Sequence, residues 1–160
     1  MHPNDSNHMP AADIRNKVGD DIWNEYFKFC VIRNPFDKLV SYFFFLEKQR
    51  SPAPEEVGKR IERFRKWIAT GVSAIDRDKY LIDGEICVDY FIRFEDLGHG
   101  IKQVCDRVNV PFEPERLPKL KAGIRDSSIP LSAFYDEETT LLVAQAYQFE
   151  LDSFGYPLPT

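Results

Sequence analysis

The amino-acid sequence predicts an α/β layered fold, with a central, mainly parallel sheet flanked by helices. Two short strand patterns each run almost directly into a helical one. Lys28-Phe29-Cys30-Val31-Ile32 is a compact apolar run with β-branched residues, the pattern of a strand buried on both faces as in a parallel sheet. Val88–Phe94 sets Val88, Tyr90, Ile92 and Phe94 against Asp89, Phe91 and Arg93, a second strand. The length of 160 residues fits one domain on a prior of roughly 150 residues per domain. A chain of that size buries about 68–70% of its unfolded surface without a staple. A single domain over residues 1–160 is therefore expected, with residues 1–10 as a loose lead-in and no internal boundary.

The elements follow in order. A helical pattern runs from Ala11 to Phe27, and the first strand ends at Arg33. Asn34 suits a helix N-cap, Pro35 the first helical position, and Asp37 the positive end of the helix dipole. Phe36, Leu39, Val40, Phe43 and Phe44 then repeat at helical spacing. Ser51-Pro52-Ala53-Pro54 breaks that helix, and a second spans Glu55–Ala69 with Gly71 as its stop. Residues 72–86 show weak periodicity and read as loop. After the Val88–Phe94 strand a helix covers Gly98–Val108. Residues 109–134 hold four prolines and form a long irregular segment, a kind often functional. Asp136–Phe154 is the last helix, stopped by Gly155.

Composition narrows the function. Net charge is −5, from 21 basic and 26 acidic residues, which argues against a general nucleic-acid binder. No apolar run is long enough to span a bilayer, and Met1–Pro10 lacks the apolar core of a secretory signal. These absences point to a cytoplasmic protein, with a membrane-anchored longer parent left open. Cys30, Cys87 and Cys105 form no C-x-x-C pair, which fits a reducing compartment rather than a disulfide framework or zinc site. Cys30 and Cys105 fall in apolar patterns and are expected to be buried.

The residues best suited to chemistry are Arg33-Asn34-Pro35-Phe36-Asp37-Lys38-Leu39-Val40-Ser41. A strand ends in Arg33 and a helix begins at once. Backbone N–H groups at a helix start favour an anion, and a guanidinium offers a planar fork to phosphate oxygens. Ser41 adds a hydroxyl two turns along. The plain structural alternative is that Arg33 pairs with a carboxylate and Ser41 is an ordinary helix residue. Elsewhere, Lys59, Arg60, Arg63, Arg65 and Lys66 form a basic cluster, read either as a solvated helix face or as a surface for an anionic glycan. Glu95 and Asp96 are expected to cap a helix or form a salt bridge rather than act as a catalytic pair. His99, between two glycines, reads as a solvent-facing residue.

The stretch Phe29–Tyr42 resembles the second cofactor motif of the sulfotransferases, and is most similar to the carbohydrate-type branch, V-R-N/D-P-x-x-R-L-V-S-x-Y. The resemblance implies that Arg33 and Ser41 bind the 3′-phosphate of the donor, 3′-phosphoadenosine-5′-phosphosulfate, with Lys38 where the branch usually has Arg. His8-Met9-Pro10 resembles the H-x-P segment that precedes this motif, which gives His8 the role of catalytic base. Arg93-Phe94-Glu95-Asp96-Leu97 resembles a strand-end segment whose aromatic residue lies near the adenine, here Phe94. Phe154-Gly155-Tyr156 matches the usual ending of the branch. Lys119, Lys121 and Arg125 lie where the family has a loop over the donor, and Arg125 is a candidate second contact to the 3′-phosphate. The implied fold is P-loop-like, and the implied acceptor is a hydroxylated small molecule or glycan, with no metal required.

One family feature has no counterpart in the sequence. Sulfotransferases begin with a strand, a Gly-containing loop carrying a Lys, and a helix that cradle the 5′-phosphosulfate. No G-x-x-x-x-G-K-[ST] or P-K-[ST]-G-T-T-like run occurs in the 160 residues. The expectation is a sulfotransferase fold truncated at its N-terminus, weakly active or inactive as given, with possible self-association through the face the missing unit would cover. The rival reading is a non-catalytic remnant that binds a nucleotide or partner. A nucleotide-kinase relative is the weakest alternative, since neither a Walker loop nor a magnesium-binding set is visible.

Overall fold

The computed structural model describes residues 8–49, 56–117 and 129–159. The chain divides into two compact units: Met1–Ile32 with Asp76–Leu117, and Arg33–Ile75 with Pro118–Thr160. The first unit holds α1 (Ala11–Val18), α2 (Asp20–Glu25), β1 (Phe29–Ile32), β2 (Leu81–Ile82), β3 (Glu85–Ile86), β4 (Tyr90–Arg93) and α5 (Leu97–Arg107). The second holds α3 (Pro35–Gln49), α4 (Val57–Ala69), α6 (Leu131–Phe134), α7 (Glu137–Ala146) and α8 (Gln148–Phe154).

In the first unit β1 and β4 pair in parallel, in the register Phe29↔Tyr90 through Ile32↔Arg93. The residues just before the strands fix that register. The Asp89 carboxylate accepts the Lys28 backbone N–H at 2.7 Å and lies 3.0 Å from the Lys28 ammonium. The Lys28 carbonyl in turn accepts from the backbone N–H groups of Asp89 and Tyr90. Donation from the Lys28 backbone holds the Asp89 carboxyl below its usual range, with the ammonium adding to the effect. The same ammonium donates to the carbonyls of Trp23 and Tyr26 and so ties the end of α2 to the start of β1. Helix α5 folds back onto β4, where Gly100 presents bare backbone to the fully buried Ile92.

Several expectations are corrected in this unit. The Ala11–Phe27 helix is two helices, because Gly19 between them takes φ +84°, a conformation that side-chain-bearing residues rarely adopt. Residues 72–86 are not all loop. They contain a single 3-10 turn, Arg77–Lys79, and a β2–β3 hairpin. The hairpin turns on Asp83-Gly84, both at positive φ, as an Asp-Gly type I′ turn requires. Strand β1 is not buried on both faces: Phe29 and Val31 are 49% and 45% exposed, whereas Ile32 is buried. Phe29 and Val31, two residues apart, share the exposed face of a sheet that has two strands among the described residues. Strand β4 stops at Arg93, and Phe94–Asp96 form a 3-10 turn into α5. None of the three cysteines forms a disulfide, but Cys30 and Cys105 are half-buried rather than enclosed.

The core of the second unit is aromatic. Phe36, Leu39, Val40, Phe43 and Phe44 of α3 meet Phe64 and Ile68 of α4, Phe134 of α6, Tyr135, Val143 and Tyr147. Edge-to-face contacts link Phe64 to Phe43, Phe134 and Tyr135 at centroid separations of 5.1–5.6 Å, an arrangement each pair of which adds about 0.5–1.5 kcal/mol beyond burial. The Tyr135 hydroxyl donates to the Phe36 carbonyl at 2.8 Å. The last helical run breaks at Tyr147 into α7 and α8, and the Tyr147 hydroxyl lies 2.7 Å from the Ala74 carbonyl. Helix α7 begins with a reciprocal cap: the Asp136 carboxylate accepts the Thr139 N–H at 2.9 Å, and the Thr139 hydroxyl oxygen accepts the Asp136 N–H at 3.0 Å. The irregular segment after Asn109 includes helix α6, and Gly155 stops α8 as expected. Ser51–Pro54 lie outside the described residues.

Candidate functional site

The start of α3 is built by its own sequence. The Asn34 side-chain oxygen accepts the Phe36 backbone N–H at 2.9 Å, and the Asn34 carbonyl accepts the Lys38 N–H at 2.9 Å. Pro35 fills the first helical position, where a missing N–H costs nothing. The cap expected from Asn34-Pro35 is therefore present.

Arg33 precedes this cap and folds along the helix. Its Nε donates to Asp37 Oδ2 at 2.7 Å and an Nη lies 2.6 Å from the same oxygen. Both side chains are about one-quarter exposed, 24% and 29%. The structural pairing of Arg33 with a carboxylate is thus realised. The anion-binding reading stands beside that pairing, because a guanidinium carries five donors in all. Asp37 and Ser41 are four residues apart, one turn of the same helix face. Asp37 therefore draws the guanidinium onto the face that carries the half-buried Ser41 hydroxyl. A fork and a hydroxyl on one face of the first two turns of a helix suit a tetrahedral dianion. Lys38 points elsewhere, with its ammonium 5.6 Å from the centre of the Tyr147 ring.

Asp37 was legible only as an acidic residue favouring the helix start, although its i,i+4 spacing from Arg33 is the signal for an ion pair. The other expected site residues lie apart from α3 in the sequence. His8 is an exposed turn residue before α1, and Phe94 is 44% exposed in the turn between β4 and α5; both belong to the first unit. Arg125, with Lys119 and Lys121, lies outside the described residues. Asp96 occupies the N-cap position of α5 but makes no side-chain capping bond, which corrects the capping expectation for it. His99 is exposed on α5, with Nε2 2.9 Å from the Gln103 amide nitrogen.

The basic cluster on α4 is largely committed within the second unit. Arg65 donates to the carbonyls of Ala133, Phe134 and Tyr135 at the end of α6. Arg63 pairs with the buried Glu47, Lys66 pairs with Glu62, and the Arg60 guanidinium stacks 5.5 Å from the Phe44 ring centre. Neither a wholly solvated face nor an open anion surface describes it. Among the described residues no group of His, Cys, Asp and Glu is placed to hold a metal ion, and no helix is long and apolar enough to cross a membrane.

Comparison with known proteins adds an independent line. The sequence model of the sulfotransferase family matches residues 2–157, nearly the whole chain. A protein of Archaeoglobus fulgidus, described only as uncharacterized, is 28% identical over 107 residues, covering 66% of this chain and 86% of that protein. No solved structure matches.

Proposed function

Because the chain belongs to the sulfotransferase family, we propose that it takes 3′-phosphoadenosine-5′-phosphosulfate as donor and a hydroxyl of a carbohydrate-like molecule as acceptor. The observation that supports the donor most is the Arg33 fork held by Asp37 on the Ser41 face of α3, at an Asn-capped helix start. In this reading Arg33 and Ser41 hold the 3′-phosphate. A hydrogen bond to a charged group is worth roughly 1.5–3 kcal/mol and a neutral one about 0.5–1.5 kcal/mol, so Arg33 dominates. The exposed ring of Phe94 offers a stacking surface for adenine, and Arg125 supplies a further contact to the phosphate.

Sulfuryl transfer is an in-line displacement: the acceptor oxygen bonds to sulfur as the bond from sulfur to the 5′-phosphate oxygen breaks. Positioning and charge stabilisation supply most of the rate, as in phosphoryl transfer. His8 accepts the proton released by the acceptor hydroxyl, a role worth about 10²–10⁴-fold. A second reading is a domain that binds the nucleotide without turning it over. Incubation with radiolabelled donor and a panel of hydroxylated acceptors separates the two. Transfer that collapses in His8→Ala supports the enzyme; donor binding without transfer supports the binding domain; no donor binding by folded protein overturns both.

A further inference from the structure

The first unit contains a cavity of about 170 Å³ that the donor reading does not use. It is lined by Phe27, Tyr90, Gln103, Val104 and Arg107, at the beginning of β4 and the last turns of α5. Tyr90 is the first residue of β4 and Phe94 follows its last. Four strand steps, about 13 Å, separate them.

The lining has two chemistries. Phe27, Tyr90 and Val104 present ring and aliphatic surface. Arg107 places its guanidinium 4.7 Å from the centre of the Phe27 ring. Stacking of this kind satisfies the face of the guanidinium and leaves its in-plane N–H edge for an acceptor. Among the described residues no hydrogen bond or ion pair takes that edge. The nearby charges are otherwise matched. Asp89 feels Arg107, but its carboxylate is bonded to the Lys28 backbone and ammonium. Asp106 pairs with Lys102 at 2.6 Å. Tyr90 donates its hydroxyl proton to the Gln103 carboxamide, whose nitrogen meets His99. Each of these groups thus has a partner, and the exception is the Arg107 edge.

We propose that this cavity binds a small aromatic monocarboxylate, its ring against Phe27, Tyr90 and Val104 and its carboxylate on Arg107. The size fits: a cavity of about 150 Å³ accepts one benzene ring. A planar carboxylate matches the two-pronged edge of a guanidinium. The site shares no residue with the 3′-phosphate reading on α3 and stands whether or not that reading holds.

The test is a titration of the whole chain with benzoate, benzamide and acetate, followed by amide NMR and calorimetry, on wild type, Arg107→Gln and Arg33→Ala. Saturable benzoate binding that shifts the amides of Tyr90, Gln103 and Arg107 is expected. Benzamide and acetate should each bind at least about tenfold more weakly, the first for want of charge and the second for want of a ring. Arg107→Gln should lose benzoate by a similar factor, and Arg33→Ala should bind it as wild type does. If Arg107→Gln fails to fold, Arg107→Lys replaces it, with a several-fold loss expected because the ammonium has no planar fork. Unaltered binding in the Arg107 variant, dependence on Arg33, equal affinity for acetate, or no saturable binding overturns the proposal.

Discussion

Replacing Gly100 by alanine tests the packing that seats α5 on β4. An added Cβ would stand 2.5 Å from Ile92 Cγ2, 3.2 Å from its Cβ and 3.4 Å from its Cγ1. Carbon atoms are comfortable at about 3.5–4.0 Å, so one side must give by about an ångström. Ile92 is fully buried on a paired strand and has no solvent to swing into. Overpacking of this kind costs about 1–3 kcal/mol, while alanine over glycine in a helix gains about 0.8–1.0 kcal/mol. The net effect of Gly100→Ala is a destabilisation of up to about 2 kcal/mol. Gly98, two residues earlier in the same helix, has nothing within 4 Å of its would-be Cβ. Gly98→Ala should stabilise by up to about 1 kcal/mol. Urea unfolding followed by circular dichroism, with amide exchange read at β4, compares the pair directly. At about 2–4 °C per kcal/mol for a chain of this size, the two variants should melt several degrees apart. Equal stabilisation by both substitutions would refute the close approach of α5 to β4.

Three further outcomes follow from particular contacts. Asp136→Ala should cost about 0.5–2 kcal/mol at neutral pH through loss of the α7 cap, while Asp136→Asn keeps most of it. The Thr139 hydroxyl, then its backbone N–H, hold the Asp136 carboxyl below its usual range. The contribution of that carboxylate is therefore present above about pH 4 and lost as pH falls through the lowered value; acid titration of unfolding should show the gap between wild type and Asp136→Ala closing there. Arg65→Ala strips a charged donor from three carbonyls at the end of α6 and just after it and should cost about 1–3 kcal/mol in denaturant unfolding; Arg65→Lys should restore little of it, lacking the fork. Ser41→Ala should weaken binding of 3′-phosphoadenosine-5′-phosphate about two- to tenfold by calorimetry, with no change in melting temperature.

What the sequence made legible was local. Asn34 and Pro35 announce their helix because cap and first-turn chemistry act within three residues. The Phe36–Phe44 stripe marks the core because helical spacing alone puts those rings on one face. Parallel pairing of β1 with β4 followed from strands alternating with helices, but the exposure of Phe29 and Val31 depends on what packs over that face of the sheet, which no local pattern states. The breaks at Gly19 and Tyr147 were hidden by apolar spacing that continues across each. The hairpin escaped because its strands are two residues long, although Asp83-Gly84 is a recognised turn pair. At the site, Arg33 and Ser41 were named by motif resemblance, whereas the Asp37 tether and the commitment of Arg65 to α6 depend on where long side chains fold back.

The most direct test is calorimetric titration of the purified chain with 3′-phosphoadenosine-5′-phosphate, set beside adenosine 5′-monophosphate and the Arg33→Ala variant. Binding that needs the 3′-phosphate and falls about 10- to 100-fold in the variant is the result expected from a phosphate held on α3. Equal affinity for both nucleotides, or full affinity in folded Arg33→Ala protein, would contradict it.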